Sequence, residues 1–81
     1  MKYPNTLKQH RLKYNLLQSE VATLLGLVGS DRISLWEQGK SIPSIPNLFK
    51  LCVLYRVQPF DVYSELVDVA EEEIEERKIK I

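Results

Sequence analysis

Cysteine occurs once in these 81 residues, at Cys52, and histidine once, at His10. A single thiol cannot close an internal disulfide, so the chain is expected to fold without covalent staples, with the reducing cytoplasm as its default location. Neither residue has neighbours at metal-ligand spacing, and three glycines in all leave no glycine-rich loop to cradle a phosphate. Long apolar runs are missing too: nothing approaches the roughly 20 residues that span a bilayer. Met1-Lys2-Tyr3-Pro4 leads into polar residues rather than a signal-peptide core. Strand-like alternation, internal repeats and low-complexity linkers are absent as well. These absences set aside disulfide scaffolds, membrane proteins and metalloenzymes, and no cofactor or catalytic activity is expected. His10 sits beside an apolar helix face and reads as a packed histidine, and Cys52 as a small core residue.

What remains is an ordinary single-domain composition, 44% hydrophobic and 27% charged. Eleven basic and eleven acidic residues give a formal net charge of zero, but they are segregated. Residues 1–60 carry eight bases (Lys2, Lys8, Arg11, Lys13, Arg32, Lys40, Lys50, Arg56) against three acids (Glu20, Asp31, Glu37), a balance of +5. Residues 61–81 reverse this, with eight acids against Arg77, Lys78 and Lys80, a balance of −5. The pattern is a basic module with an acidic tail, suited to phosphate contact without proving it.

Helical periodicity runs throughout and predicts an all-α chain of five helices. The first places Leu7, Arg11 and Tyr14 on one face after a cap at Asn5 or Thr6. The second runs from Gln18 to a stop at Gly26, burying Val21, Ala22 and Leu25. The third covers Asp31 to Gln38, with Ile33 and Trp36 inward, and Gly39 ends it. The fourth, Asn47 to Arg56, has Pro46 in its first turn. The fifth begins near Phe60 and extends nearly to the end, with Val62, Leu66, Ala70, Ile74 and Ile81 along one stripe. The expected division is a module over 1–64 and an acidic amphipathic extension over 65–81.

Two short helices joined by a tight turn in a basic all-α module suggest a DNA reader. The order and spacing of Arg11, Leu16-Leu17-Gln18-Ser19-Glu20-Val21-Ala22, Leu25-Gly26, Ile33-Ser34-Leu35-Trp36-Glu37-Gln38-Gly39-Lys40, Pro43, Leu48 and Leu51 resemble the Cro/phage-repressor helix-turn-helix family. Val57-Gln58-Pro59-Phe60-Asp61-Val62-Tyr63 is similar to the start of that family's fifth helix. The resemblance implies a compact lambda-repressor-like bundle and sequence-specific binding of double-stranded DNA as a transcriptional regulator, with residues of about 30–38 in the major groove. It implies that Gln18 faces backbone phosphate, that Ser30, Asp31, Arg32 and Leu35 face base edges, and that Lys40 and Ser41 meet phosphate in the following loop. It also implies a partly buried structural ion pair between Arg11 and Glu37.

The chain departs from the family pattern in four places. The turn is one residue longer than usual, leaving the register open by one at Ser30 and Gly29. Leu35 cannot hydrogen-bond a base, Asp31 points a negative charge at the groove, and Leu17 occupies an N-cap position, forgoing roughly 1 kcal/mol. The stripe of Leu66, Ala70, Ile74 and Ile81 needs a partner: a second copy, its own domain, or none if the end frays. A homodimer would set two recognition helices roughly 34 Å apart. The alternative to a DNA reader is a protein-interaction module or antitoxin-like protein that engages a partner through the acidic helix.

Overall fold

A computed structural model describes all 81 residues, and they are helical throughout, with no strand. The elements are α1 (Leu7–Lys13), α2 (Gln18–Leu25), α3 (Asp31–Glu37), α4 (Ile45–Tyr55), α5 (Pro59–Val62) and α6 (Ser64–Lys78). Six helices stand where five are predicted. The break falls at Tyr63, whose backbone leaves the helical region at φ −116°, ψ 42°. Val62 and Tyr63 are both buried, and consecutive residues of one straight helix would point about 100° apart. The kink brings both into the core. α4 begins two residues earlier than predicted, because the Ser44 hydroxyl accepts the Asn47 N–H at 3.4 Å and Pro46 fits the first turn.

Thr6 is the N-cap residue of α1 and makes no side-chain cap bond; Asn5 just before it supplies one instead, its Oδ1 accepting the Leu7 N–H at 3.0 Å. Thr6 has another role, its hydroxyl lying 3.0 Å from His10 Nε2 and its N–H donating to the Val62 carbonyl at 3.1 Å. His10 is half-buried and stacks on Tyr55 with ring centroids 6.1 Å apart. The expected deficit at Leu17 is partly offset, because the Glu20 carboxylate accepts the Leu17 N–H at 2.8 Å.

The first four helices end alike. Asn15, Gly26, Gly39 and Arg56 each adopt a left-handed conformation (φ 55°, 78°, 69° and 55°). At each, the following N–H bonds back across the last turn: Leu16 to Arg11, Leu27 to Ala22, Lys40 to Leu35 and Val57 to Cys52, all at 2.9–3.1 Å. This is the Schellman arrangement, which satisfies carbonyls that a helix end otherwise leaves free. Glycine adopts it freely; a side chain costs roughly 1 kcal/mol. Arg56 is exposed and makes no ion pair. Arg56→Gly is therefore expected to stabilise the fold by about 0.5–1 kcal/mol and raise Tm by roughly 4 °C in thermal unfolding; a lower Tm would contradict this account.

The core joins Leu7 of α1, Val21, Ala22 and Leu25 of α2, Ile33 and Trp36 of α3, Leu51, Cys52 and Tyr55 of α4, and Val62 and Tyr63. Burial pushes the Tyr55 and Tyr63 phenols up to about 12. The Tyr63 hydroxyl has no hydrogen-bond partner, its titratable neighbour being the Cys52 thiol, a weak one. α6 leaves this core after Leu66 and Val67, and every residue from Asp68 onward is exposed. The radius of gyration of 14.4 Å exceeds the roughly 12 Å of a compact chain this long because α6 projects.

Candidate nucleic-acid interface

α2 and α3 pack through Val21, Ala22 and Leu25 against Ile33 and Trp36, joined by the five-residue turn Gly26–Ser30. α3 advances about 100° per residue, so burying Ile33, Trp36 and Glu37 turns Asp31, Ser34, Leu35 and Gln38 to the opposite side, with Arg32 at its flank. Asp31, Arg32, Leu35 and Gln38 are exposed and Ser34 is half-buried. Ser30 is the N-cap residue, half-buried and with no side-chain cap bond. Gln38 donates to the Ser34 hydroxyl at 2.7 Å, which pre-orients its amide on the outward face. The sequence reading omitted Ser34 and Gln38; the i, i+3, i+4, i+7 spacing from Asp31 is the signal that would have found them.

A buried polar knot locks the inward side of α3. Arg11 Nε donates to Glu37 Oε2 at 2.7 Å and Nη2 to Oε1 at 3.0 Å, a bidentate pair whose side chains are 9% and 4% exposed. Arg11 Nη1 also donates to the Leu16 carbonyl at 2.9 Å. The Glu37 hydrogen bond pushes the Arg11 pKa up against the opposing effect of burial. Gln18 completes the knot, its amide donating to Glu37 Oε1 at 3.0 Å. The Gln18 amide expected to face phosphate is thus engaged inward in the free chain, leaving its carbonyl oxygen and backbone N–H at the start of α2.

Lys40 is exposed and Ser41 half-buried, both immediately beyond the left-handed Gly39. They follow the end of α3 on a short loop. Leu66, Ala70 and Ile74 do not form a free stripe but one wall of an apolar groove of about 460 Å³, whose other side includes Ile42, Ile45, Leu48 and Phe60. Ile81 lies beyond α6, outside that groove and fully exposed. No three His, Cys, Asp or Glu side chains converge as metal ligands.

Two short helices at a tight turn, a third-helix face of free polar side chains and a buried ion pair holding that helix to α1 form a helix-turn-helix unit. A family model described as helix-turn-helix matches residues 7–62, 56 of the 81. The chain belongs to this helix-turn-helix family. The match spans α1 to α5 and leaves α6 outside. The family is one of DNA-binding transcriptional regulators, and the likeness to Cro and the phage repressors belongs to it. No curated protein matches the chain. No helix of this helix-turn-helix protein is long and apolar enough to cross a membrane.

Proposed function

We propose that this helix-turn-helix protein is a cytoplasmic transcriptional regulator that reads a specific double-stranded sequence with α3 in the major groove. The carrying observation is the division of α3: one side is fixed by Arg11–Glu37 while Asp31, Arg32, Leu35 and Gln38 are exposed on the other. A major groove admits one helix, and its base edges are read by such side chains. Arg32 forks to guanine or clamps a phosphate, Gln38 suits adenine, Leu35 packs on a thymine methyl, and Asp31 accepts from a cytosine amino group or holds Arg32. Ser30, at the start of α3, faces the base edges beside Asp31, while Lys40, Ser41 and the N-terminal end of α2 at Gln18 position the module on the backbone without reading sequence.

The groove between α4 and α6 is the proposed homodimer surface. Ile42, Ile45, Phe60 and Ile74 are each more than half exposed there, and their burial against a second copy would set two copies of α3 on one inverted repeat. Residues 65–81 serve as the extension that completes this surface. The second reading, a protein-interaction or antitoxin-like module, draws support from the fully exposed acidic length of α6.

The test is selection of bound duplexes from a random library at near-physiological salt. An enriched inverted repeat is expected; Arg32→Ala should then relax preference at one base pair by about 1–3 kcal/mol, and Lys40→Ala should weaken all sequences evenly. No enrichment would end the specific-reader proposal and direct the search to a protein partner for α6.

A further inference from the structure

We propose that the segment Met1–Asn5 is a fixed part of the DNA interface and that Lys2 contacts a backbone phosphate beside the one met by Lys40. The inference rests on the DNA-reading proposal and adds a binding residue to it.

Short segments that precede a first helix are usually frayed unless something ties them down. This one is tied to the end of the recognition helix. The Tyr3 N–H donates to the Gly39 carbonyl at 3.0 Å. The Asn5 amide donates to the Trp36 carbonyl at 2.8 Å and to the Tyr3 carbonyl at 2.9 Å, while its oxygen caps α1. One side chain thereby joins the start of α1, the last turn of α3 and the leading segment. Gly39 is buried beneath that segment: a Cβ at this position would lie 2.8 Å from the Tyr3 carbonyl oxygen and 2.9 Å from Met1 Cγ. Glycine at 39 therefore answers two demands, the left-handed turn and the close approach of residues 1–3.

Met1 and Tyr3 approach Gly39, and Lys2 between them is exposed. Its ammonium stands 5.3 Å from the centroid of the Tyr3 ring, a contact compatible with an anion on its outer side. No acid occurs before Glu20, and the ion pairs of the fold are Arg11–Glu37 and Lys78–Glu75, so Lys2 has no carboxylate partner. The residue hydrogen-bonded to this segment, Gly39, directly precedes the proposed phosphate contacts Lys40 and Ser41. A cation held there, with its backbone already ordered, meets a duplex backbone that carries a negative charge every ~1.7 Å of axis.

The experiment measures affinity for a selected duplex from 50 to 300 mM salt for the wild-type chain, Lys2→Ala, Lys2→Arg and, as a control of equal charge change, Lys78→Ala. Each neutralised phosphate contributes about 0.9 to the slope of log affinity against log salt. Lys2→Ala is expected to flatten the slope by about 0.9 per bound copy and to weaken all sequences evenly, with Lys2→Arg and Lys78→Ala close to wild type. An unchanged slope for Lys2→Ala overturns the inference, as does equal flattening by Lys2→Ala and Lys78→Ala, which would mark a net-charge effect. Both outcomes leave the DNA-reading proposal standing; a wild-type chain that selects no duplex ends both.

Discussion

Glu37→Ala is expected to cost about 3–5 kcal/mol of folding stability, a large share of what an 81-residue domain possesses. The cost comes less from losing an attraction than from what is left behind. Arg11, 8% exposed, would keep its charge with the carboxylate gone, and the Gln18 amide would lose its acceptor. Arg11→Ala should be comparably severe, stranding the carboxylate instead. The pair removed together behaves differently: Arg11→Met with Glu37→Leu is expected to fall within about 1–2 kcal/mol of wild type, because no charge is then buried alone. Urea unfolding of the three variants checks this. A double cost equal to the sum of the two single costs would show that the knot is not a coupled unit.

Duplex affinity should fall about 10²–10³-fold between 50 and 200 mM salt. The expectation follows from counterion release by Lys40 and Lys2 of two copies, about four phosphates at 0.9 each in the slope, with Arg32 adding up to two more where it clamps a phosphate instead of a guanine. A chain of zero net charge has no global reason for so steep a response, so the slope reports a local cationic face rather than overall attraction. A flat response, with affinity for a protein partner retained, would favour the interaction-module reading. Titration of a labelled duplex at four salt concentrations decides between them.

Much of the scaffold was legible because its signals are local. Gly26 and Gly39 mark helix ends, Pro46 a helix start, and the pattern of Val21, Ala22, Leu25, Ile33 and Trp36 the buried seam. The Arg11–Glu37 pairing followed from a resemblance, since nothing in a linear pattern joins residues 26 apart. What escaped depends on contacts between distant segments. Gln18 turns to Glu37 because the fold brings a carboxylate to it from 19 residues away. The stripe on α6 became a groove wall only once Ile42, Ile45 and Phe60 arrived opposite. Tyr63 interrupts a run that periodicity alone carries straight through, because burying both Val62 and Tyr63 outweighs one continuous helix. Gln38 differs, because it lies seven residues after Asp31 on the same face of α3 and its place there is legible from helical spacing alone.

The projection of α6 also has an electrical consequence. The molecule is 47 Å long and 21 × 20 Å across, with five excess positive charges in residues 1–60 and five excess negative charges in residues 61–81. Such a body is a macroscopic dipole. In the field of a polyanion it feels little net pull but a definite torque, which swings the basic head inward and the acidic arm outward before contact. Orientation rather than net attraction is then what long-range electrostatics contributes to the encounter, and salt weakens that alignment in addition to opposing the counterion release made on contact.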